Sequence, residues 1–197
     1  GRAASILAIV GDVTKHQAEI IANKISTSLP KGKAKQKIVA VKPSLETKQH
    51  IDFPSLQSHV RMGQIGIERG NPDYFNLYVG NHILGGGGFT SRLVKEVRSN
   101  RGLSYSVYSY FLPYEQSGPF MLGLQTRSDQ VTEAIQVCNE VLSGFIENGP
   151  TQEELTLSKQ NIMNGFPLRI DSNRDILGYL SLMGYYDLPL TYLNDFN

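Results

Sequence analysis

Residues 104–112 and 118–126 constrain this chain more than any other part of it. Ser104 to Leu112 alternates along its length and is rich in Tyr and Val, side chains that suit a pleated, half-buried surface. A Pro113–Gly118 turn follows, and Gly118 to Thr126 returns as the hairpin partner. A hairpin is marginal alone and needs an apolar cover on one face. The sequence on either side carries helical patterns of the right kind to form that cover.

Thr14-Lys-His-Gln17 reads as a capping box. Ala18, Ile21, Ala22, Ile25 and Leu29 follow at helical spacing, and Pro30 ends that helix. Asn71-Pro72 opens another, with Phe75, Val79 and Ile83 on one face and Gly85–Gly88 as its stop. Thr90 to about Ser99 carries a stripe of Leu93, Val94 and Val97. Ser128 is placed to cap a helix whose Val131, Ala134, Ile135, Cys138, Leu142 and Phe145 face inward, and Gly149-Pro150 closes it. Thr151-Gln-Glu-Glu154 is a second capping box, and Ser172-Asn-Arg-Asp175 starts a last helix that Asp187–Pro189 breaks. Short apolar runs at 5–10, 49–54 and 58–67 read as three further strands. The expected order is β-α-β-β-α-α-β-β-α-α-α. It predicts an α+β domain of two layers, with helices on one face of a mainly antiparallel mixed sheet. The chain opens directly on an apolar run, so a fragment of a longer chain is expected.

The bulk properties exclude several classes. With 40% hydrophobic and 19% charged residues the balance is that of an ordinary globular domain. A net charge of +1 offers no electrostatic basis for nucleic acid or an anionic membrane. No run reaches the roughly 18 apolar residues of a membrane span. Lysines cluster between residues 31 and 48, but no aromatic residues interleave with them, so a solvated loop is expected rather than a nucleic-acid patch. The one cysteine, Cys138, permits no intrachain disulfide and sits at an apolar helical position, as a buried small hydrophobe would.

Catalytic and metal motifs are thin. His16, His50, His59 and His82 are scattered, and none has a second histidine four residues away as a gluzincin helix requires. His16 and Glu19 share a helix, but position 20 is Ile. Ser91 follows a glycine run without the Gly-x-Ser-x-Gly spacing of a nucleophile elbow. Gly85–Gly88 lacks the following Lys of a phosphate loop, and fits a connection between helices that needs positive φ. The densest remaining segment is Val97-Arg-Ser-Asn-Arg-Gly-Leu-Ser-Tyr-Ser-Val-Tyr108. Arg98 ends a helix, Tyr105 begins a strand, and the Gly102 turn can bring both to one edge of the sheet. Simple alternation puts Tyr105 on the face of Val107. Residue chemistry leaves two readings open: a core aromatic with a helix-terminal cation, or a functional pair.

Leu84-Gly-Gly-Gly-Gly-Phe-Thr-Ser-Arg-Leu93, then Val97-Arg98, then Arg101-Gly-Leu-Ser-Tyr105-Ser-Val-Tyr108, resembles the signature of the second domain of peptidase M16 proteins. That family includes pitrilysin, insulin-degrading enzyme and the mitochondrial processing peptidases. Ala8–Asp12, Thr151–Leu155 and Phe166–Asn173 extend the resemblance over nearly the whole chain. It implies one domain over 1–197, with the two-layer fold of the processing peptidases. It also implies a clamshell, in which one half holds zinc through His-x-x-Glu-His and the other supplies an Arg and a Tyr seven residues apart. Arg98 and Tyr105 match that pair, and Gly86, Gly87 and Phe89 fall in the implied substrate-binding segment. No His-x-x-Glu-His is present, so the chain resembles the half that binds no zinc. By the resemblance it is no enzyme alone. Its expected partners are a zinc-bearing catalytic half, fused or separate, and a peptide; a non-catalytic subunit is the alternative. Family habit points to the periplasm or envelope of a Gram-negative bacterium, and an organelle is equally compatible.

Overall fold

A computed structural model describes residues 5–44 and 48–196. The chain forms two compact units, one made of Gly1–Val39 with Met163–Asn197 and the other of Ala40–Ile162.

The Ala40–Ile162 unit is built on three antiparallel strands, β1 (Gln57–Ile65), β2 (Ser104–Phe111) and β3 (Pro119–Arg127), in the order β1-β3-β2. The hairpin forms as the alternation requires, with Phe111 opposite Phe120. Pairing places Val60, Leu124 and Val107 in one row across the sheet, and Met62, Leu122 and Ser109 in the next. These residues point to one side. There they meet Leu84, Leu93, Val94, Val97, Ala134, Val137 and Cys138 from the helical layer in one apolar core. The α+β class with helices on one sheet face is therefore observed, and the sheet is antiparallel throughout its ladders.

The helical layer comprises α2 (Tyr74–Asn81), α3 (Val131–Asn148) and most of α4 (Gln152–Gly165). Between α2 and β2 the chain is irregular. His82–Gly86 continues α2 as a π-helical turn, Gly88–Thr90 is a 3₁₀ turn, and Val94–Asn100 is a π-helix. Gly85 thus lies inside the helix instead of stopping it; the break comes at Gly88, where φ is +62°. Gly85 is required by proximity, since a Cβ there would stand 2.4 Å from Ser109 Oγ and 2.7 Å from its backbone nitrogen. Asn81 fastens the same place, donating Nδ2 to Ser109 O at 3.0 Å and accepting from Ser109 Oγ at 2.7 Å. Ser128 opens a 3₁₀ turn ahead of α3 but supplies no side-chain cap.

The other unit holds α1 (Lys15–Ser28) and α5 (Asn173–Tyr185). Both predicted N-caps are present. Thr14 and Gln17 bond reciprocally, and Asp175 N donates to Ser172 Oγ at 3.2 Å. Phe166 stacks on Phe196 with centroids 4.7 Å apart, and Tyr179 and Tyr192 meet Phe196 edge-on.

Two predicted strands are absent. Residues 5–10 form none, and Ile6 and Leu7 remain about half exposed. A strand needs a ladder partner, and every described strand belongs to the other unit. Residues 49–54 are also irregular, with Ile51 and Phe53 exposed and Pro54 unable to donate to a ladder. The lysine-rich segment is irregular and exposed over 33–44; part of it, 45–47, lies outside the described residues. No described helix is long and apolar enough to cross a membrane.

Candidate functional site

The Gly102 turn does bring Arg98 and Tyr105 together. Gly102 N donates to Arg98 O at 3.0 Å and Leu103 N to Val97 O at 2.9 Å. The reversal has φ of +63° at Gly102, a conformation that glycine adopts without strain. Arg98 ends up with Cζ 4.3 Å from the Tyr105 ring centroid.

Tyr105 reaches this position through a β-bulge. Ser104 pairs with Thr126 and Ser106 with Gln125, so Tyr105 is the extra residue on its strand. Ser104 holds the bulge with one hydroxyl: Oγ donates toward Ser106 O (2.7 Å) and Gln125 O (2.5 Å) and accepts from Ser106 N (3.2 Å). The bulge breaks the alternation. Ser104 and Val107 are both buried, whereas Tyr105 is 82% exposed. The expectation that Tyr105 shares the face of Val107 is therefore corrected, and the core-aromatic reading goes with it. Nothing in the local sequence marks a bulge, because register is decided by the partner strand.

Phe89 completes the cluster. Its ring centroid lies 4.7 Å from Arg98 Cζ, and it is 75% exposed. The turn that carries it is pinned by Ser91, fully buried, whose Oγ donates to Gly88 O at 2.7 Å, and by Thr90 Oγ1 donating to Gly87 O at 3.0 Å. Gly86 and Gly87 lie directly on the preceding turn; a Cβ would be 2.6 Å from Asn81 Nδ2 at the first and 2.5 Å from His82 O at the second. His82 is half-buried and its Nδ1 is 2.9 Å from Ser158 Oγ. The Arg98 guanidinium thus lies against two exposed rings. Among the described residues neither Arg98 nor the Tyr105 hydroxyl has a hydrogen-bond or ion-pair partner. A cation–π contact uses the charge and not a particular N–H group, so the guanidinium donors stay available.

Arg92 contrasts with it. Nε donates to Glu154 Oε1 at 2.7 Å, and Nη2 to Glu154 Oε2 at 2.6 Å and to Gly149 O at 3.0 Å. Glu154 also accepts from Thr151 N at 2.8 Å, which completes the second capping box. The Arg92 hydrogen bond holds the Glu154 carboxyl at about 2, well below the usual carboxylate range. The sequence offers no sign of the ion pair or of the role of Arg92 in it. Only the Glu154 cap was legible there.

The described residues offer no donor set for a metal ion. Among the described residues no three His, Cys, Asp or Glu side chains come together. Cys138 is fully buried, and burial pushes its thiol up to about 12.

Comparison with known proteins bears on the family and the fold. The family model described as the peptidase M16 inactive domain matches residues 3–162. The crystal structure of a peptidase M16 inactive domain from Pseudomonas fluorescens superposes with a TM-score of 0.89 at 45% identity, over 94% of this chain and 44% of that one. The uncharacterized zinc protease YmxG of Bacillus subtilis is 35% identical over 59% of this chain and 28% of its own length. The non-peptidase homolog YmxG of Helicobacter pylori is 28% identical over 95% of this chain and 43% of its own. The chain therefore spans less than half the length of these relatives. With the family match over residues 3–162 and the shared fold, the chain belongs to the peptidase M16 inactive-domain family.

Proposed function

We propose that residues 1–197 act as one substrate-side domain of a zinc peptidase, and that Arg98 and Tyr105 donate hydrogen bonds to carbonyl oxygens of a bound peptide. The observation that carries this reading is the bulge. It turns a tyrosine out of the core and sets its ring against an arginine whose donors the fold does not use. A purely structural tyrosine would be expected inside. Phe89, on the Gly88–Thr90 turn, adds a second exposed ring beside the guanidinium.

The zinc belongs to a partner half with His-x-x-Glu-His, fused or separate, where its Lewis acidity would activate the attack on the peptide bond. This chain's contribution is electrostatic. As negative charge grows on the scissile oxygen, a phenol O–H and a guanidinium N–H aimed at it lower the barrier, and they do so most when closure of the two halves excludes water. A donor of this kind is worth about 2.7–4 kcal/mol.

A second reading has its own support. The Helicobacter relative that covers most of this chain is called a non-peptidase homolog, which favours a peptide-binding or structural subunit without turnover. Mixing this chain with a His-x-x-Glu-His half, zinc and an unfolded peptide separates the two. Cleavage by the pair and by neither half alone supports the peptidase reading; binding without cleavage supports the subunit. Within an active pair, Tyr105→Phe lowers kcat while leaving the folded state intact, and wild-type turnover in that variant refutes the proposed role.

A further inference from the structure

The side of the sheet that faces away from the helices has a chemistry of its own. His59, Arg61 and Gly63 of β1 lie there, opposite Gln125, Gly123 and Met121 of β3, with Ser106, Tyr108 and Tyr110 of β2 beyond. Two glycines flatten this face. At Gly123 a Cβ would stand 2.7 Å from the Tyr108 ring, and at Gly63 2.6 Å from the Met121 sulfur. Tyr108 therefore lies down across β3 and reaches β1, where Arg61 Nη1 donates to its hydroxyl at 3.3 Å. Tyr110 stacks on Tyr108 with centroids 6.0 Å apart.

The charges are one-sided. None of the three strands contains Asp or Glu, while they hold Arg61, Arg127 and His59. Arg127 is engaged by Asp129. Arg61 is exposed and, among the described residues, has no carboxylate partner; its recorded contact is the Tyr108 hydroxyl. Tyr108 stands three residues beyond Tyr105 on the same strand, roughly 10 Å along it. A peptide held at Arg98 and Tyr105 in extended form has this platform beside it.

We propose that the flat outer face of the sheet is a second substrate contact, on which Arg61, steadied by Tyr108 over Gly123, pairs with an acidic side chain of an extended peptide. The proposal rests on the peptide-binding reading above and names a preference within it: unfolded segments carrying Asp or Glu beside the contacted carbonyl. Arg61 is here a specificity-determining residue and takes no part in bond cleavage.

The test uses the chain together with its zinc-bearing half, fused or separate, in the presence of a chelator, so that binding is read without turnover. Fluorescein-labelled unfolded peptides of about ten residues, the length of one strand, carry a single Glu at each successive position, each with a Gln twin. At one or two positions the Glu peptide should bind about three- to fivefold tighter than its twin, the range of a partly exposed ion pair. Added salt should shrink that advantage. Arg61→Gln should abolish it while leaving the Gln twin unchanged, and Tyr108→Phe should reduce it. No position with a Glu advantage, or an Arg61→Gln variant that weakens both twins equally, overturns the proposal. The two readings fail separately: wild-type kcat in Tyr105→Phe removes the carbonyl role but leaves a Glu preference standing, and an absent Glu preference leaves the Tyr105 effect standing.

Discussion

Arg92 and Arg98 sit six residues apart on one helical stretch, and their surroundings are opposite. Arg92 is half-buried, bidentate to Glu154, bonded to the Gly149 carbonyl and laid over the Phe145 ring at 5.0 Å. Arg98 touches two exposed rings and gives no donor to any described residue. An arginine whose edges are engaged by its own fold joins pieces of that fold. One that lies over rings and donates to no described residue keeps its N–H groups for something else. The same side chain thus joins parts of the fold at one position and is left with open donors at the other, where we propose recognition, and the difference is measurable.

The largest separation is expected in turnover. In an active enzyme, Arg98→Ala or Tyr105→Phe should lower kcat about 100- to 1000-fold, with the thermal midpoint unmoved in Tyr105→Phe and only slightly lowered in Arg98→Ala, which gives up two exposed cation–π contacts. Arg92→Ala should do the reverse. It removes charge-assisted hydrogen bonds and leaves Glu154 partly buried, so it should cost about 2 kcal/mol in chemical denaturation. Arg92→Lys should recover little of that loss, because an ammonium cannot reproduce the fork. If Arg98→Ala destabilises as much as Arg92→Ala, the contrast collapses.

The pH dependence sharpens the Arg92 side. The Glu154 carboxyl titrates at about 2 in the folded protein, against an ordinary value of 4.5. Its folded value is depressed, so the stabilisation is complete above the unfolded value and fades as pH falls from about 4.5 toward 2. Glu154→Gln should therefore flatten the loss of stability over that window, read by denaturant midpoints at successive pH values. Smaller effects lie on the Arg98 side. Ser104→Ala removes the hydroxyl that holds the bulge; it should cost about 1 kcal/mol of stability and lower kcat more than it raises KM. Phe89→Ala should be the mildest. It removes one exposed cation–π contact, worth about 0.5–1 kcal/mol, and should loosen Arg98 without unfolding the turn.

The same division runs through what was legible in the sequence. The caps of α1, α4 and α5 were readable because each is a hydrogen bond between residues three apart, complete within one turn. The hairpin was readable because its alternation and turn are contiguous. The strands expected at 5–10 and 49–54 had the right composition, but a strand exists only through a partner, and apolar composition does not provide one. The site divides likewise. Arg98, Tyr105 and Phe89 were all named beforehand, whereas the stack that unites them, and the Ser104 hydroxyl beneath it, were not.

The sequence by itself determined the starts of α1, α4 and α5, the hairpin and its turn, the glycine at 102 and the family to which the chain belongs. All of these depend on neighbours in the chain or on motifs in order. Tertiary structure alone decided which way Tyr105 points. The bulge arises where Ser104 and Ser106 pair with adjacent residues of β3, twenty or so positions away. One added residue reverses the alternation, moving a tyrosine from the core side to the surface beside Arg98.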